Sequence, residues 1–434
     1  MYYNSINNKL NIKSFINIFL NNIPKDKTLF FPFKIPKINK KNFYFLKKQT
    51  YIDFAFYISK YFIDYINDEN LYKILYNSYL KFNNEVIKLE FLNNNYILNL
   101  NSGKTLTFKD IALVPLGFLL NFISKLVNKK IIIFCATSGD TGSAAINSFK
   151  NFKNIKLFTF FPFNMISDIQ RKQITTIKRN NIHNISLIGN FDSAQFLIKK
   201  IFENLKLFKK NFLVSVNSIN WFRIILQTIY YCFSSLKLYN NNLINYYVPT
   251  GNFGNALSVF IAKKMGFPIG KIIICNNDNY YIDNFLKYEK IHNNNLKKTI
   301  SPSIDISIPS NFLRIINIYN YKIKNLNKVN KIFYSDKIYN KYIILSLEFF
   351  YLKYKKIYDP HTITSLSSLF KENLKFCNVV VSTAYPIKFY FSIKKIIPNL
   401  KFNFKTKKIF FLNENYKVFA LNFNLIINYI KKKI

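Results

Sequence analysis

The sequence has 434 residues, half of them hydrophobic, which is enough for a sizeable core in two or three domains and excludes a disordered chain. Its formal net charge is +42, a balance that ordinarily points to nucleic acid or an anionic membrane. The lysines, however, run along the whole chain, and Lys, Asn, Ile, Phe and Tyr are over-used together; their codons are largely A and T, so mutational bias accounts for charge and aromatics in one step and argues against an RNA-binding face.

Residues 1 to about 90 carry helical apolar spacing with many aromatics, as in Tyr51 to Tyr65, and read as an N-terminal cap on a larger body. Met1 to Asn21 alternates polar and apolar residues and lacks the charged start and apolar core of a signal peptide. The longest apolar segment, Ile111 to Val127, is interrupted by Pro115, Asn121 and Lys125; it is too short to span a bilayer and predicts a buried helix.

The run Ile131-Ile132-Ile133-Phe134 predicts a strand, followed by a polar loop, Cys135-Ala136-Thr137-Ser138-Gly139-Asp140-Thr141-Gly142, and small residues that start a helix. Such a loop aims backbone N–H groups and hydroxyls at one spot and suits a carboxylate or phosphate. Taken alone, it equally fits an ordinary helix N-cap. Residues 155 to 189 repeat the strand, helix, strand pattern.

Asn217 and Ser218 end an apolar strand, and Asn220 to Tyr231 has helical spacing, with Arg223 one turn on from Asn220. A guanidinium there suits a phosphate monoester; the bland alternative is a solvated helix face. Tyr246-Tyr247-Val248 predicts another strand, and Pro249-Thr250-Gly251-Asn252-Phe253-Gly254-Asn255 a loop into a helix over 256–265. Its glycines let the backbone approach an anion at a helix N-terminus. Ser301 to Arg314 reads as a prolyl loop entering a capped helix, residues 320 to 355 carry no usable signal, and Tyr358-Asp359-Pro360-His361-Thr362 reads as a turn with a helix start. Val379-Val380-Val381-Ser382-Thr383-Ala384-Tyr385-Pro386 follows, with Lys388-Phe389, and the chain closes on a basic helical tail. The Asn-rich runs at 240–242 and 293–295 are expected loops. Cys135, Cys232, Cys275 and Cys377 are far apart, and His183, His292 and His361 lack metal-ligand spacing, so neither a disulfide framework nor a metal site is expected; a reducing interior is the default compartment.

Taken together, Thr105-Leu106-Thr107-Phe108-Lys109-Asp110, the Thr137–Gly142 loop, Asn217-Ser218-Ile219-Asn220 with Arg223, Gln227 and Tyr230-Tyr231, and the Pro249–Asn255 loop resemble threonine synthase, a pyridoxal-phosphate enzyme of the tryptophan-synthase-β fold type. The resemblance covers most of residues 85 to 390. It implies fold-type II: two open α/β domains with the cofactor in the cleft between them, plus an N-terminal helical region. Alternating strand and helix signals agree with parallel sheets. The expected division is 1–92 for the N-terminal region, 93–240 for one α/β domain and 241–434 for the other, with interleaving allowed.

The resemblance implies that Lys109 binds pyridoxal 5'-phosphate as a Schiff base and later shuttles protons, with Phe108 and the Ile111–Val114 run as apolar walls that lower its pKa. Asp110 is then an ordinary first-turn acid. Gly251, Asn252, Phe253, Gly254 and Asn255 would hold the cofactor phosphate, and Thr383 would place a hydroxyl by the pyridine nitrogen. Thr137, Ser138 and Thr141 would take the substrate carboxylate, with Asp140 near the cofactor's phenolic oxygen. Asn217, Ser218, Asn220 and Arg223 would bind the rest of the substrate, O-phospho-L-homoserine. The implied reaction yields L-threonine and phosphate in the last step of threonine biosynthesis, in the cytoplasm, in a monomer or homodimer without nucleic-acid or membrane partners.

Among the departures from the family pattern, two concern charged or catalytic-type positions. Met165 replaces a basic residue, leaving Arg171 and Lys172 as the nearest cations in sequence, and Tyr385 replaces a histidine. The rival readings are a serine/threonine dehydratase or sulfhydrylase of the same fold, a basic RNA-binding protein, and a decayed relative. The Gly-Asn-Phe-Gly-Asn loop and the Asn217–Arg223 passage favour threonine synthase over the first.

Overall fold

The computed structural model describes all residues except 9, 11, 22–23, 25, 27, 83–84, 205–207, 209–210, 289–295, 319–328, 372–376 and 401–410. His292 and the 293–295 run therefore lie outside the described residues. Among those described, no helix is long and apolar enough to cross a membrane.

The first thirty residues differ from the helical expectation. Strands β1 (Tyr2–Ser5), β2 (Lys13–Ser14) and β3 (Phe30–Pro32) form an antiparallel sheet in the order β2-β1-β3. Polar–apolar alternation at the start of the chain is a strand signal of period two, and aromatic packing fixes it. Tyr3 and Phe31 meet the Trp221 ring at 6.2 and 5.3 Å, and Phe15 and Phe19 meet Phe222. Helices Tyr51–Ser59 and Asp68–Tyr79 follow, as their spacing predicts.

Two larger sheets hold the core. The antiparallel hairpin β4 (Lys88–Leu92) and β5 (Asn95–Asn99) turns on Asn93 and Asn94, both with positive φ, the conformation a two-residue hairpin loop requires. Strands β6 (Ile131–Ala136), β7 (Ile155–Pro162), β8 (Ile182–Leu187) and β9 (Phe212–Ser215) come next. After them come β10 (Ile244–Pro249), β11 (Ile269–Asn276), β12 (Phe333–Lys337), β13 (Cys377–Ser382) and β14 (Lys417–Phe419). One sheet has the order β14-β8-β7-β6-β9, all parallel. The other has the order β12-β11-β10-β13-β5-β4, parallel except for the terminal hairpin. Strand β5 thus joins a sheet built mostly from the second half of the chain, and β14 joins one built from the first.

β6 and β10 are buried at every position, as parallel strands covered on both faces must be. The helix Trp221–Leu238, buried along almost its whole length, packs against Lys109–Leu126, Gly254–Lys264 and Tyr51–Ser59. Pro115 interrupts Lys109–Leu126 and cannot donate to the carbonyl of Ile111; the Tyr79 hydroxyl donates to that oxygen instead, at 3.3 Å.

In each parallel sheet the strand order reverses once. In the first sheet β6 is followed by β7 on one side and flanked by β9 on the other; in the second, β11 and β13 flank β10 in the same way. A crevice opens at the carboxyl ends of strands where order reverses. Those ends lead into Thr137–Thr141 and Asn217–Asn220 in one sheet, and into Pro249–Asn255 and Thr383–Tyr385 in the other. Four of the sequence motifs therefore emerge at two switch points, and the Thr105–Asp110 turn, which follows β5, is tied to one of them through Thr383.

Candidate active site

Lys109 opens the helix Lys109–Leu126, as expected. The approach to it is a tight turn. Leu106, at φ +60°, donates its N–H to the Gly103 carbonyl at 3.0 Å. A left-handed leucine costs on the order of 1–2 kcal/mol and persists because its surroundings hold it. The holder is the segment after β13: Phe108 N–H donates to the Thr383 carbonyl at 2.9 Å, and Tyr385 N–H to the Leu106 carbonyl at 3.0 Å. This pairing sets Thr383 beside the residue preceding Lys109.

Asp110 is not the plain dipole-complementing acid that its place in the first helical turn predicts. It is fully buried, and its carboxylate accepts from the Thr105 N–H at 2.8 Å and the Thr105 hydroxyl at 2.6 Å. It staples the turn to the helix. Burial pushes its carboxyl up to about 6, against the pull of the Thr105 hydrogen bonds.

Asp140 is the hub of the site. It begins the helix Asp140–Phe149, and its side chain is 3% exposed. Lys109 Nζ lies 3.1 Å from its Oδ2; Lys388 Nζ and Gln170 Nε2 each lie 2.8 Å from its Oδ1. Burial alone would raise the Asp140 carboxyl, but the charges of Lys109 and Lys388 outweigh it and hold the group well below the usual carboxylate range. Burial lowers the Lys109 ammonium; Asp140 opposes this, Lys388 and Arg223 reinforce it, and the net direction is down. The site therefore shifts Lys109 toward its neutral amine.

The loop around Asp140 is built for its shape. Thr137 Oγ1 accepts from the N–H groups of Gly139 at 2.9 Å and Gly142 at 2.8 Å. Gly139 has φ +131°, and a Cβ there would stand 2.5 Å from the Gln170 side chain. Ser138 and Thr141 are half-buried, and their hydroxyls make no hydrogen bond among the described residues.

At the end of β9, Asn220 is the N-cap of Trp221–Leu238: its Oδ1 accepts from Phe222 N–H at 3.0 Å and its Nδ2 donates to the Ser215 carbonyl at 2.9 Å. The side chains of Asn220 and Thr137 are thus occupied within their loops, whereas Asn217 Oδ1 is buried with no partner. Arg223 is 2% exposed. It donates to the Val216 carbonyl at 2.9 Å, its Nε is orphaned, and no carboxylate pairs with it among the described residues. Burial brings its guanidinium down to about 10. A buried, unneutralised guanidinium is stable chiefly where an anion completes it.

At the end of β10, Asn252 Nδ2 hydrogen-bonds the Ser218 hydroxyl, which joins the two switch points. Asn311 Nδ2 bridges the carbonyls of Ser218 and Asn252 at 3.2 and 2.9 Å. Phe253, at φ +60°, is the N-cap of Gly254–Lys264 and supplies no side-chain acceptor, so the first N–H groups of that helix stay available. Asn255 Oδ1 accepts from Tyr230 and Tyr231, both at 2.6 Å, while its Nδ2 is orphaned. Gly251 is needed for space: a Cβ would lie 2.4 Å from the Ser303 carbonyl. That carbonyl is fixed in turn, since Ser303 N–H donates to His361 Nε2 at 3.0 Å and His361 Nδ1 meets Asp359 at 2.7 Å. His361 is thus a latch behind the loop. Gly251→Ala is expected to push the loop off Ser303 and to lower stability by about 1–3 kcal/mol, as overpacking does; a urea titration reads this directly.

Arg171 and Lys172, the nearest cations in sequence to Met165, are both paired with carboxylates. Arg171 pairs with Glu414 at 3.0 Å and Asp168 at 2.7 Å, and Lys172 lies 3.6 Å from Glu414. Met165 and Tyr385 are 54% and 47% exposed. Cations that are buried beside Asp140 or its partner Lys109 include Lys388 and Arg223. Sequence reasoning gave Lys388 and Gln170 no role; the signal for Lys388 is a lysine flanked by Ile387 and Phe389 directly after a strand end.

Comparison with known proteins agrees with this architecture. Residues 2–79 match the family model for the threonine synthase N terminus. Threonine synthase of Pseudomonas aeruginosa is 31% identical over 91% of this chain and 90% of its own. The crystal structure of PLP-bound threonine synthase from Brucella melitensis superposes with a TM-score of 0.93 at 27% identity, covering 100% of this chain and 99% of that one. Threonine synthase from yeast gives 0.91 at 29% identity, covering 100% and 98%.

Proposed function

The chain belongs to the threonine synthase family, and on that premise we propose how its residues divide the work of the reaction. The enzyme is a pyridoxal-phosphate-dependent lyase that converts O-phospho-L-homoserine and water to L-threonine and phosphate. The residues present fit the cofactor. Lys109 offers an amine whose pKa burial lowers, the uncapped start of Gly254–Lys264 offers N–H groups for a phosphate, and Asn255 Nδ2 is an orphaned donor at the same helix end. Gly251 to Asn255 would hold the cofactor phosphate, Thr383 its ring nitrogen and Lys109 its aldehyde carbon. When bound, the cofactor supplies an electron sink for negative charge developing beside the substrate's amine-bearing carbon.

The protein's part is positioning and proton transfer. Ser138 and Thr141, with unpartnered hydroxyls, take the substrate carboxylate together with N–H groups of their loop. Thr137 shapes that loop, and Asn220 fixes the start of the helix that carries Arg223. Arg223, Asn217 and Ser218 take the phosphate. Lys109 Nζ removes the Cα proton; a Cβ proton then leaves, phosphate departs from Cγ, water adds at Cβ, and protons return to Cα and Cγ. Asp140 keeps Lys109 oriented between transfers. The two α/β halves meet near residue 241, with β5 and β14 exchanged between them, and the enzyme works in the cytoplasm as a monomer or homodimer.

One observation carries the substrate assignment: Arg223 is a buried cation beside Lys109 with an orphaned Nε and, among the described residues, no carboxylate partner. Arg223→Lys keeps the charge but loses the fork that matches a phosphate. It is expected to raise KM for O-phospho-L-homoserine and lower kcat/KM by about 10- to 100-fold, the loss of one charge-assisted contact. Release of phosphate and threonine, assayed in parallel, tests this; unchanged kcat/KM removes Arg223 from the phosphate site.

A further inference from the structure

Two lysines face one carboxylate in this cleft, and they are held differently. Lys388 comes from the 3-10 turn Pro386–Phe389 and is fully buried. Its Nζ donates to Asp140 Oδ1 and to the Thr105 carbonyl, each at 2.8 Å. Lys109 Nζ donates to Asp140 Oδ2 at 3.1 Å and lies 5.0 Å from the centre of the Phe108 ring, and its side chain keeps 12% exposure. An ammonium has donors only, so both contacts suit it, and the carboxylate neutralises its charge where water is scarce. The turn is itself fixed, since the Ser167 hydroxyl donates to the Lys388 carbonyl at 3.2 Å.

The remaining charged groups around the pair do not change this division. Asp110 is occupied by Thr105, Arg223 adds positive charge on the side of Lys109, and Gln170 contributes a neutral donor to Asp140. If Lys109 were the only counterion of Asp140, each loss of its proton would leave a bare carboxylate in the interior. With Lys388 in place the carboxylate stays paired.

We propose that Lys388 is the standing counterion of Asp140, a positioning residue whose task is to let Lys109 exist as a neutral amine. The inference rests on the assignment of Lys109 as the cofactor-bearing lysine. It predicts that removing Lys388 makes Lys109 the sole partner of Asp140 and pins a proton on it.

The test uses the full-length chain stripped of cofactor. Reductive methylation with formaldehyde and cyanoborohydride, followed by peptide mass spectrometry, reports the neutral fraction of each lysine across roughly pH 6 to 10. Lys388→Met is expected to raise the midpoint for Lys109 by roughly 1–3 pH units, the effect of gaining an undivided opposite charge. Lys388→Arg, which keeps the charge, is expected to leave it near the parental value. Lys388→Met combined with Asp140→Asn is expected to bring it back down. A folded Lys388→Met chain with an unmoved midpoint overturns the inference. Where that variant does not fold, the parental chain decides: Lys109 is expected to be methylated at lower pH than Lys388, and the reverse order overturns the inference. Borohydride reduction of the cofactor-loaded parent separates the two claims. Label on Lys388 overturns the assignment of Lys109; label on Lys109 with an unmoved midpoint overturns only the role of Lys388.

Discussion

Lys109→Ala is expected to reduce turnover of O-phospho-L-homoserine by more than about 10⁴-fold, the combined loss of covalent anchoring and of the general base. No neighbour can replace it. Lys388 is tied to the Thr105 carbonyl and Asp140, and Arg223 is a guanidinium that keeps its proton at neutral pH. The substitution itself is mild for the fold, since alanine suits a helix start and Asp140 retains Lys388 and Gln170. The variant is therefore expected to stay folded and to bind pyridoxal phosphate non-covalently. Threonine and phosphate formation by a purified sample is the measurement, with far-ultraviolet circular dichroism as the folding control. Turnover within a factor of ten of the parent would take the role away from Lys109.

Asp140→Ala carries the second large effect, on stability. It leaves Lys109 and Lys388 facing each other in the interior and strips Gln170 of an acceptor. Breaking a buried ion pair from one side costs about 3–5 kcal/mol. The pH dependence has a defined sign. The folded-state pKa of Asp140 is depressed below the unfolded value of about 3.9, so its stabilisation is fully present above that pH and is lost as pH falls toward the folded value. The parental chain is thus expected to lose urea resistance more steeply than Asp140→Ala below about pH 4, while at neutral pH the variant unfolds at lower urea. Equal midpoints at neutral pH would show that the two lysines do not depend on this carboxylate.

Much of this site is legible in the sequence because its loops are written in unusual residues. Gly139 at φ +131° and Gly251, with a carbonyl 2.4 Å from where its Cβ would be, are positions that tolerate only glycine, and they stand inside the two motifs. Strands β6 and β10 are legible for a similar reason: burial on both faces leaves unbroken apolar runs. What the sequence hides is partnership. Nothing in Asn95–Asn99 says that it pairs with Cys377–Ser382, because a strand's hydrogen bonds come from a backbone that every residue shares. Lys388 is hidden among the many other basic residues for the same reason. Its carboxylate lies some 250 residues away in sequence, and only the fold brings the two together. Asn220 shows the opposite ambiguity, since asparagine serves equally as a ligand contact or a helix cap, and its cap role is visible only in the fold.

The exchange of strands has a consequence for how the chain is made. Strand β5 must wait for a partner synthesised some 280 residues later, and the sheet begun by β6 gains its β14 edge only when the last residues appear. Neither half can close as it leaves the ribosome, so domain-by-domain folding is denied to it. Contacts of such long range make for slow folding, with exposed strand edges in the meantime. An apolar, strongly basic nascent chain in that state depends on its own positive charge, or on chaperones, to keep it from its neighbours until the final strand arrives.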